Sequence, residues 1–164
     1  MKKDILFFIL LISGLIAVYT NSLQFDFTYL DDQVQVVNNS AIRSLSWENL
    51  LAIFSSTSVG MYQPLTTLLY AVAYQLGNLN PSVFGIFSLI FHVLNCLLVF
   101  LLLKKLQVDA IARYFLVAIF AFHPMQVESV VWVSAFSNLV FTFFFTLGLL
   151  LYLKSKEQNS RKSY

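Results

Sequence analysis

Charge is the scarcest thing in this sequence. Only 11% of its 164 residues are Asp, Glu, Lys or Arg, where a soluble domain carries roughly 25%. With 59% of residues hydrophobic, a water-soluble fold of this size lacks the side chains to cover its surface. The bilayer is the natural solvent for such a composition. Cysteine is nearly absent as well: Cys96 stands alone in an apolar run. That excludes an intramolecular disulfide, and cysteine usage is silent on the redox compartment. The chain has no Gly-rich phosphate loop, no Cys/His metal spacing and no G-x-S-x-G elbow. It also has no internal repeat of about 20–50 residues.

What is present is a series of long apolar runs. A helix needs about 20 apolar residues to span the hydrocarbon. Residues 5–23 form the first such run, after Lys2 and Lys3. It exceeds the about 7–15 apolar residues of a secretory signal and lacks a small-x-small cleavage pattern, so a retained span is expected. Residues 83–103 form the second, closed by Lys104 and Lys105. Residues 110–122 form a short third, with Arg113 snorkelling to the interface, and residues 130–153 a fourth, closed by Lys154 and Lys156. The expected fold is an all-α integral membrane protein of about four transmembrane helices, with a long first outer loop over 24–82. Residues 154–164 are expected to be a polar, unstructured tail. With both termini cytoplasmic, every Lys and Arg except Arg43 falls inside, and Asp26, Asp31, Asp32, Glu48 and Glu128 fall outside.

Residues 62–76 are apolar but short, begin near Pro64 and carry Gln63, Thr66, Thr67 and Gln75. If they crossed the membrane, Lys104 and Lys105 would move outside. They are therefore expected as a helix at the outer interface, with Pro64 in its first turn and a turn over 77–81 after it. Ser46 is placed to cap another short helix, on which Trp47, Leu50, Leu51 and Phe54 share a face. That face suits either the membrane surface or the packed spans.

Two clusters can carry chemistry. The first is Asp31-Asp32, followed by Asn38 and Asn39. Adjacent carboxylates near a low-dielectric surface can accept a proton from a hydroxyl, bind a metal or orient a leaving phosphate. They can equally be a solvated acidic loop. The second is His123-Pro124-Met125-Gln126-Val127-Glu128-Ser129, a short hairpin at the outer mouth of the bundle. His123 and Glu128 there are either functional or simply wet in the headgroup zone. Within the second span, His92 and Asn95 share a helix face and are expected to join helices by hydrogen bonds. Phe136, Phe141, Phe143, Phe144 and Phe145 are expected to face lipid, with Trp132 and Tyr152 as interface anchors.

The order of these pieces carries a resemblance. Asp31-Asp32, the segment Met61-Tyr62-Gln63-Pro64-Leu65-Thr66-Thr67-Leu68, the run Leu76-Gly77-Asn78-Leu79-Asn80-Pro81, His92 with Asn95, and Phe122-His123-Pro124-Met125-Gln126-Val127-Glu128-Ser129-Val130-Val131-Trp132 follow one another. This resembles the N-terminal part of the polytopic C-type glycosyltransferases. It is most similar to the branch in which transmembrane helices precede tetratricopeptide repeats, related to protein O-mannosyltransferases. The resemblance runs over nearly the whole chain, and the His-Pro-x-x-Val-Glu-Ser-Val-x-Trp element is its most specific piece. It implies transfer of a sugar from a polyprenyl-phosphate donor to a protein or glycan acceptor on the outer face, by an inverting displacement. It implies an essential acid in the first outer loop, matched by Asp31 or Asp32, and a substrate cavity lined by His123, Glu128, Tyr62 and Gln63. No cofactor is expected, although a divalent metal at Asp31 and Asp32 is chemically open.

Two departures stand out. Gln63 occupies a place where the family often has Arg, and Ala135-Phe136-Ser137-Asn138 stand where a basic and an acidic residue are often paired. Family members also carry more spans, so the chain is expected to be a fragment or one part of a larger membrane assembly. A non-catalytic scaffold or binding subunit with the same fold is the alternative. A transporter fragment relaying protons through His92 or Glu128 is a third reading.

Overall fold

The computed structural model describes residues 2–162, with side chains over 2–157. The elements are α1 (Lys2–Tyr19), α2 (Trp47–Ser55), α3 (Pro64–Gly77), α4 (Pro81–Lys105), α5 (Ala110–Phe122), α6 (Gln126–Val131) and α7 (Phe136–Lys162), with short helical turns between them. No strand occurs among the described residues. The protein is an all-α membrane protein. Three stretches are long and apolar enough to cross a bilayer: Lys2–Gln24, Pro81–Lys105 and Val133–Glu157. The apolar α5 is shorter, at 13 residues.

Burial follows helical periodicity. In α1 only Leu11, Leu15 and Tyr19 are buried, one turn apart, while Ile5, Leu6, Ile9, Leu10 and Ile16 are exposed. An apolar helix with one narrow packed stripe has lipid, not water, as its other neighbour. The central helix is α4, which packs on α7, α5, α3, α6 and α1. Its buried face runs from Phe84 through Ser88 and His92 to Asn95, Cys96 and Phe100. His92 Nε2 lies 3.0 Å from the Ala121 carbonyl. Asn95 donates to the Leu139 carbonyl at 3.0 Å. Both polar side chains thus join helices, as their spacing predicts.

Four tertiary contacts set the direction of each helix. Ser82 Oγ donates to the Leu23 carbonyl at 2.6 Å, joining the end of the first run to the start of α4. The Tyr114 hydroxyl donates to Asp4 at 2.6 Å, joining the start of α5 to the start of α1. Lys105 pairs with Glu157, joining the far ends of α4 and α7. Together with the His92 contact near the end of α5, these place α1 and α5 in one direction and α4 and α7 in the other. One end therefore holds Lys2, Lys3, Lys104, Lys105, Arg113, Lys154 and Lys156. The other holds Asp26, Asp31, Asp32, Arg43, Glu48, His123 and Glu128. Arg113 does not simply reach for water: its guanidinium lies over Phe100, 4.8 Å from the ring centre, and donates to the Val108 carbonyl at 3.3 Å.

The acidic end is built from short elements with side-chain caps. Ser46 Oγ accepts from the Asn49 N–H at 3.4 Å and starts α2. Ile53 turns inward, and Trp47, Leu51 and Phe54 are exposed. Pro64 opens α3, whose inner face buries Thr66, Thr67, Tyr70, Ala71 and Ala73. Asn80 accepts from the Ser82 N–H at 3.1 Å ahead of Pro81 and starts α4.

The stretch expected as one span over 130–153 is interrupted. Helix α6 stops at Val131, Trp132 is extended (φ −82, ψ 118), and a single 3₁₀ turn over Val133–Ala135 precedes α7. Phe136 is buried against Tyr70 and Phe91 rather than facing lipid, whereas Phe141, Phe144 and Phe145 are exposed. At the other end α7 continues as helix to Lys162 through residues expected to be unstructured. Its Lys, Glu and Gln side chains are good helix formers. The side chains of Arg161 and Lys162 lie outside the described residues.

Candidate functional site

The two adjacent carboxylates have opposite surroundings. Asp32 is buried, with 1% of its surface exposed. Its Oδ2 accepts from the Thr28 N–H at 2.8 Å and the Thr28 hydroxyl at 3.0 Å. Its Oδ1 accepts from the Ser134 N–H at 2.9 Å and from the Ser134 hydroxyl. Four donors satisfy a carboxylate that would otherwise be very costly to remove from water. They also explain the interruption before α7, because the Ser134 N–H that serves Asp32 cannot sit inside a continuous helix. Asp31 is half-buried, and among the described residues it has no hydrogen-bond or ion-pair partner.

A second layer holds this clasp in place. The Trp132 indole N–H donates to the Thr28 hydroxyl at 3.1 Å, so Trp132 supports the clasp rather than floating as a lipid anchor. The Gln33 amide donates to the Thr28 carbonyl at 3.1 Å. The Tyr70 hydroxyl donates to the Val133 carbonyl at 2.7 Å. Burial pushes the Tyr70 phenol far up, and the Asp32 charge adds to the shift, so it remains a donor at any ordinary pH. Beside the clasp lies a cleft of about 110 Å³, bordered by Asp26, Asp32, Thr28 and Trp132.

The other expected site residues divide. Gln63 donates to the buried Gln35 at 3.2 Å and closes a polar cleft of about 250 Å³ with Asn39 and Thr67. Tyr62 is exposed, and its hydroxyl donates to the Phe54 carbonyl at 3.0 Å. Tyr62 and Gln63 also border a groove of about 510 Å³ between α3 and α7. Ser137 and Asn138 form its polar end, and Phe141, Phe144 and Phe145 its apolar wall. Gln63 on α3 and Ser137 with Asn138 on α7 therefore face one groove. His123 and Glu128 are both exposed at this end of the molecule. His123 Nδ1 accepts from the Met125 N–H at 3.2 Å. Among the described residues, neither of the two borders these clefts.

Arg43 is the one Lys or Arg between residues 4 and 103. Its guanidinium donates to the Val36 carbonyl at 3.4 Å and to the Val37 carbonyl, and lies 4.6 Å over the Tyr74 ring. It closes the end of the helical turn over Gln33–Val37. No group of three or more His, Cys, Asp or Glu side chains suited to a metal occurs among the described residues.

The sequence pattern does not mark Ser134 or Thr28. Ser134 stands two residues beyond Trp132, just outside the most specific motif. Thr28 stands four before Asp32, at the spacing of a local side-chain cap.

Comparison with known proteins adds relatives over most of the chain. The protein O-mannosyl-transferase TMTC3 of Homo sapiens is 30% identical over 159 residues, covering 90% of this chain and 17% of its own length. The protein O-mannosyl-transferase F38B6.6 of Caenorhabditis elegans is 29% identical over 168 residues, 93% of this chain and 24% of its own. TMTC2 of Mus musculus, also named a protein O-mannosyl-transferase, is 27% identical over 146 residues, 85% of this chain and 18% of its own. The chain spans about a fifth of the length of these relatives. No family model matches the chain, and no solved structure does. The resemblance expected from the ordered motifs is thus found in proteins that carry the protein O-mannosyl-transferase name.

Proposed function

We propose that this relative of the protein O-mannosyl-transferases forms the acidic half of a site that transfers a sugar from a polyprenyl-phosphate donor to an acceptor hydroxyl. The observation that carries the reading is the inequality of the acid pair. Asp32 is spent on holding the loop against residues 132–134, which leaves the neighbouring Asp31 unengaged at the mouth of the bundle. A free carboxylate on a rigidly held loop is what a general base needs. In the proposed step the acceptor oxygen attacks the anomeric carbon and forms the new glycosidic bond. The bond from that carbon to the phosphate oxygen breaks, and the polyprenyl phosphate leaves with the electron pair. Asp31 takes the hydroxyl proton. Asp32 is a positioning residue. Tyr62 and Gln63 border the groove between α3 and α7, His123 and Glu128 stand exposed at the same end outside it, and that acidic end faces away from the cytoplasm, with the lysine-rich end inside.

The test is sugar transfer by the complete protein in native membranes. Asp31→Asn is expected to lower transfer by about 10²-fold or more with its unfolding temperature unchanged. Asp32→Asn is expected to lower both together. Full transfer by the Asp31→Asn protein would reject the assignment.

One observation favours a second reading, that of a non-catalytic subunit. The groove between α3 and α7 has no charged side chain to hold a phosphate, and Arg43 stands outside it, with one guanidinium nitrogen bonded to backbone carbonyls. Co-purification with a larger membrane partner that transfers sugar equally well with Asp31→Asn would favour it.

A further inference from the structure

At the lysine-rich end, α4 and α7 border a cleft of about 700 Å³, well within the roughly 300–1,000 Å³ of small-molecule sites. We propose that it binds an anionic glycerophospholipid, with hydrocarbon along its leucines and phosphate at its lysines. This inference is independent of the proposed transfer chemistry.

The lining is ordered along the helix axes. Leu98 and Leu101 on α4 face Leu147 and Leu151 on α7, and Lys104 and Lys154 close the same cleft. Lys104 follows Leu101 by three residues, and Lys154 follows Leu151 by three, so each lysine stacks over its leucine on one helix face. Leu98 and Lys104 are six residues apart, roughly 9 Å along the axis. That spacing separates a buried apolar floor from a charged rim, as a lipid separates chain from headgroup. Leu101 and Leu151 are exposed on helices that otherwise cross hydrocarbon, so the cleft opens sideways to lipid chains.

Charge selects the headgroup. Lys105 is engaged by Glu157. Lys104 and Lys154 border the cleft outside any ion pair found among the described residues; the acids near them are Glu157, which borders the cleft and pairs with Lys105, and Asp4, whose carboxyl feels the Lys104 charge. The adjoining cleft of about 300 Å³ adds Lys156. A basic pocket between membrane helices suits an anionic headgroup. A zwitterionic headgroup would bring a second cation against the same lysines.

The complete protein would be reconstituted in nanodiscs of phosphatidylcholine alone or with phosphatidylglycerol, and its bound lipids read by native mass spectrometry. Each lysine near an anionic surface is worth about a fivefold preference. Phosphatidylglycerol is therefore expected to be enriched about thirtyfold over phosphatidylcholine in the retained lipid, and less at high salt. Lys104→Gln with Lys154→Gln is expected to remove nearly all of that preference. Lys2→Gln with Lys3→Gln takes the same charge from the same end and is expected to leave most of it. Equal retention of the two lipids would overturn the proposal. So would an undiminished preference in the Lys104/Lys154 protein, or an equal loss in the Lys2/Lys3 protein, which would mean diffuse charge rather than this cleft.

Discussion

The two ends of the bundle handle charge in opposite ways. At the acidic end a carboxylate is carried into the protein, and the chain folds around it: Thr28 and Ser134 supply its donors, and α7 starts late so that Ser134 can do so. At the basic end the helices run on without interruption, and the lysines stay at the water boundary over a leucine-lined cleft. A buried charge dictates local backbone structure because every lone pair needs a donor. A charge left at the surface dictates little of the fold and remains open to ligands. The same contrast separates Asp31 from Asp32 within one dipeptide.

The contrast breaks most sharply at Asp32. Asp32→Ala leaves the buried donors of Ser134 and Thr28 without their acceptor. A loss of about 3–5 kcal/mol is expected, since each buried donor left without an acceptor costs about 1–3 kcal/mol and the two hydroxyls can in part re-pair. Chemical unfolding in detergent micelles measures it. Lys104→Gln, at the other end, is expected to change stability by no more than about 0.5 kcal/mol. Equal losses at the two sites would mean that the carboxylate is as dispensable as a surface lysine.

Next in size is the tight junction between α3 and α4 at the acidic end. A Cβ at Gly77 would run into the Val83 side chain. Gly77→Ala is expected to cost about 1–3 kcal/mol by overpacking. Adding Val83→Ala should recover part of that loss, and simple additivity of the two changes would show that the residues do not collide. Smaller again is Tyr70→Phe, which removes one buried hydrogen bond to the Val133 carbonyl. It should cost about 0.5–1.5 kcal/mol in the same unfolding measurement.

Legibility in the sequence follows the same division. The long helices, the Ser46 cap, the Pro64 start and the turn before Pro81 all depend on neighbours within a few residues, and hydropathy and capping chemistry locate them. The joining roles of His92 and Asn95 follow from polar side chains spaced on an apolar helix. The interruption at Trp132 was not legible, because its cause is Asp32, 102 residues from Ser134. Locally, 130–153 is a good apolar run, and a distant acceptor overrides that preference. The inequality of Asp31 and Asp32 is hidden for a similar reason: a dipeptide does not say which side chain the turn points inward. Phe136 departs from its expected lipid-facing place because an aromatic at the first turn of a span looks the same whether lipid or Tyr70 lies beside it.

The smallest expected effect sharpens the comparison at the basic end. There Asp109 caps α5, accepting from the Ile111 N–H at 2.8 Å and the Ala112 N–H at 3.4 Å. These backbone donors hold its carboxyl below the ordinary value of 3.8, with nearby Arg113 adding to the effect. The lowered value means that the ionised cap favours the fold above pH 3.8, and that this contribution fades as the pH falls through the lowered value. Hydrogen exchange at the Ile111 and Ala112 amides should therefore show protection that is flat near neutrality and declines only in acid. Asp109→Asn keeps the acceptor oxygen without the titration, so its protection should not decline. An acid-dependent loss that persisted in the Asn protein would place its origin elsewhere than this exposed cap. At the opposite end the buried Asp32 network opens only with the packing around it, so amides near Ser134 should exchange through larger unfolding events.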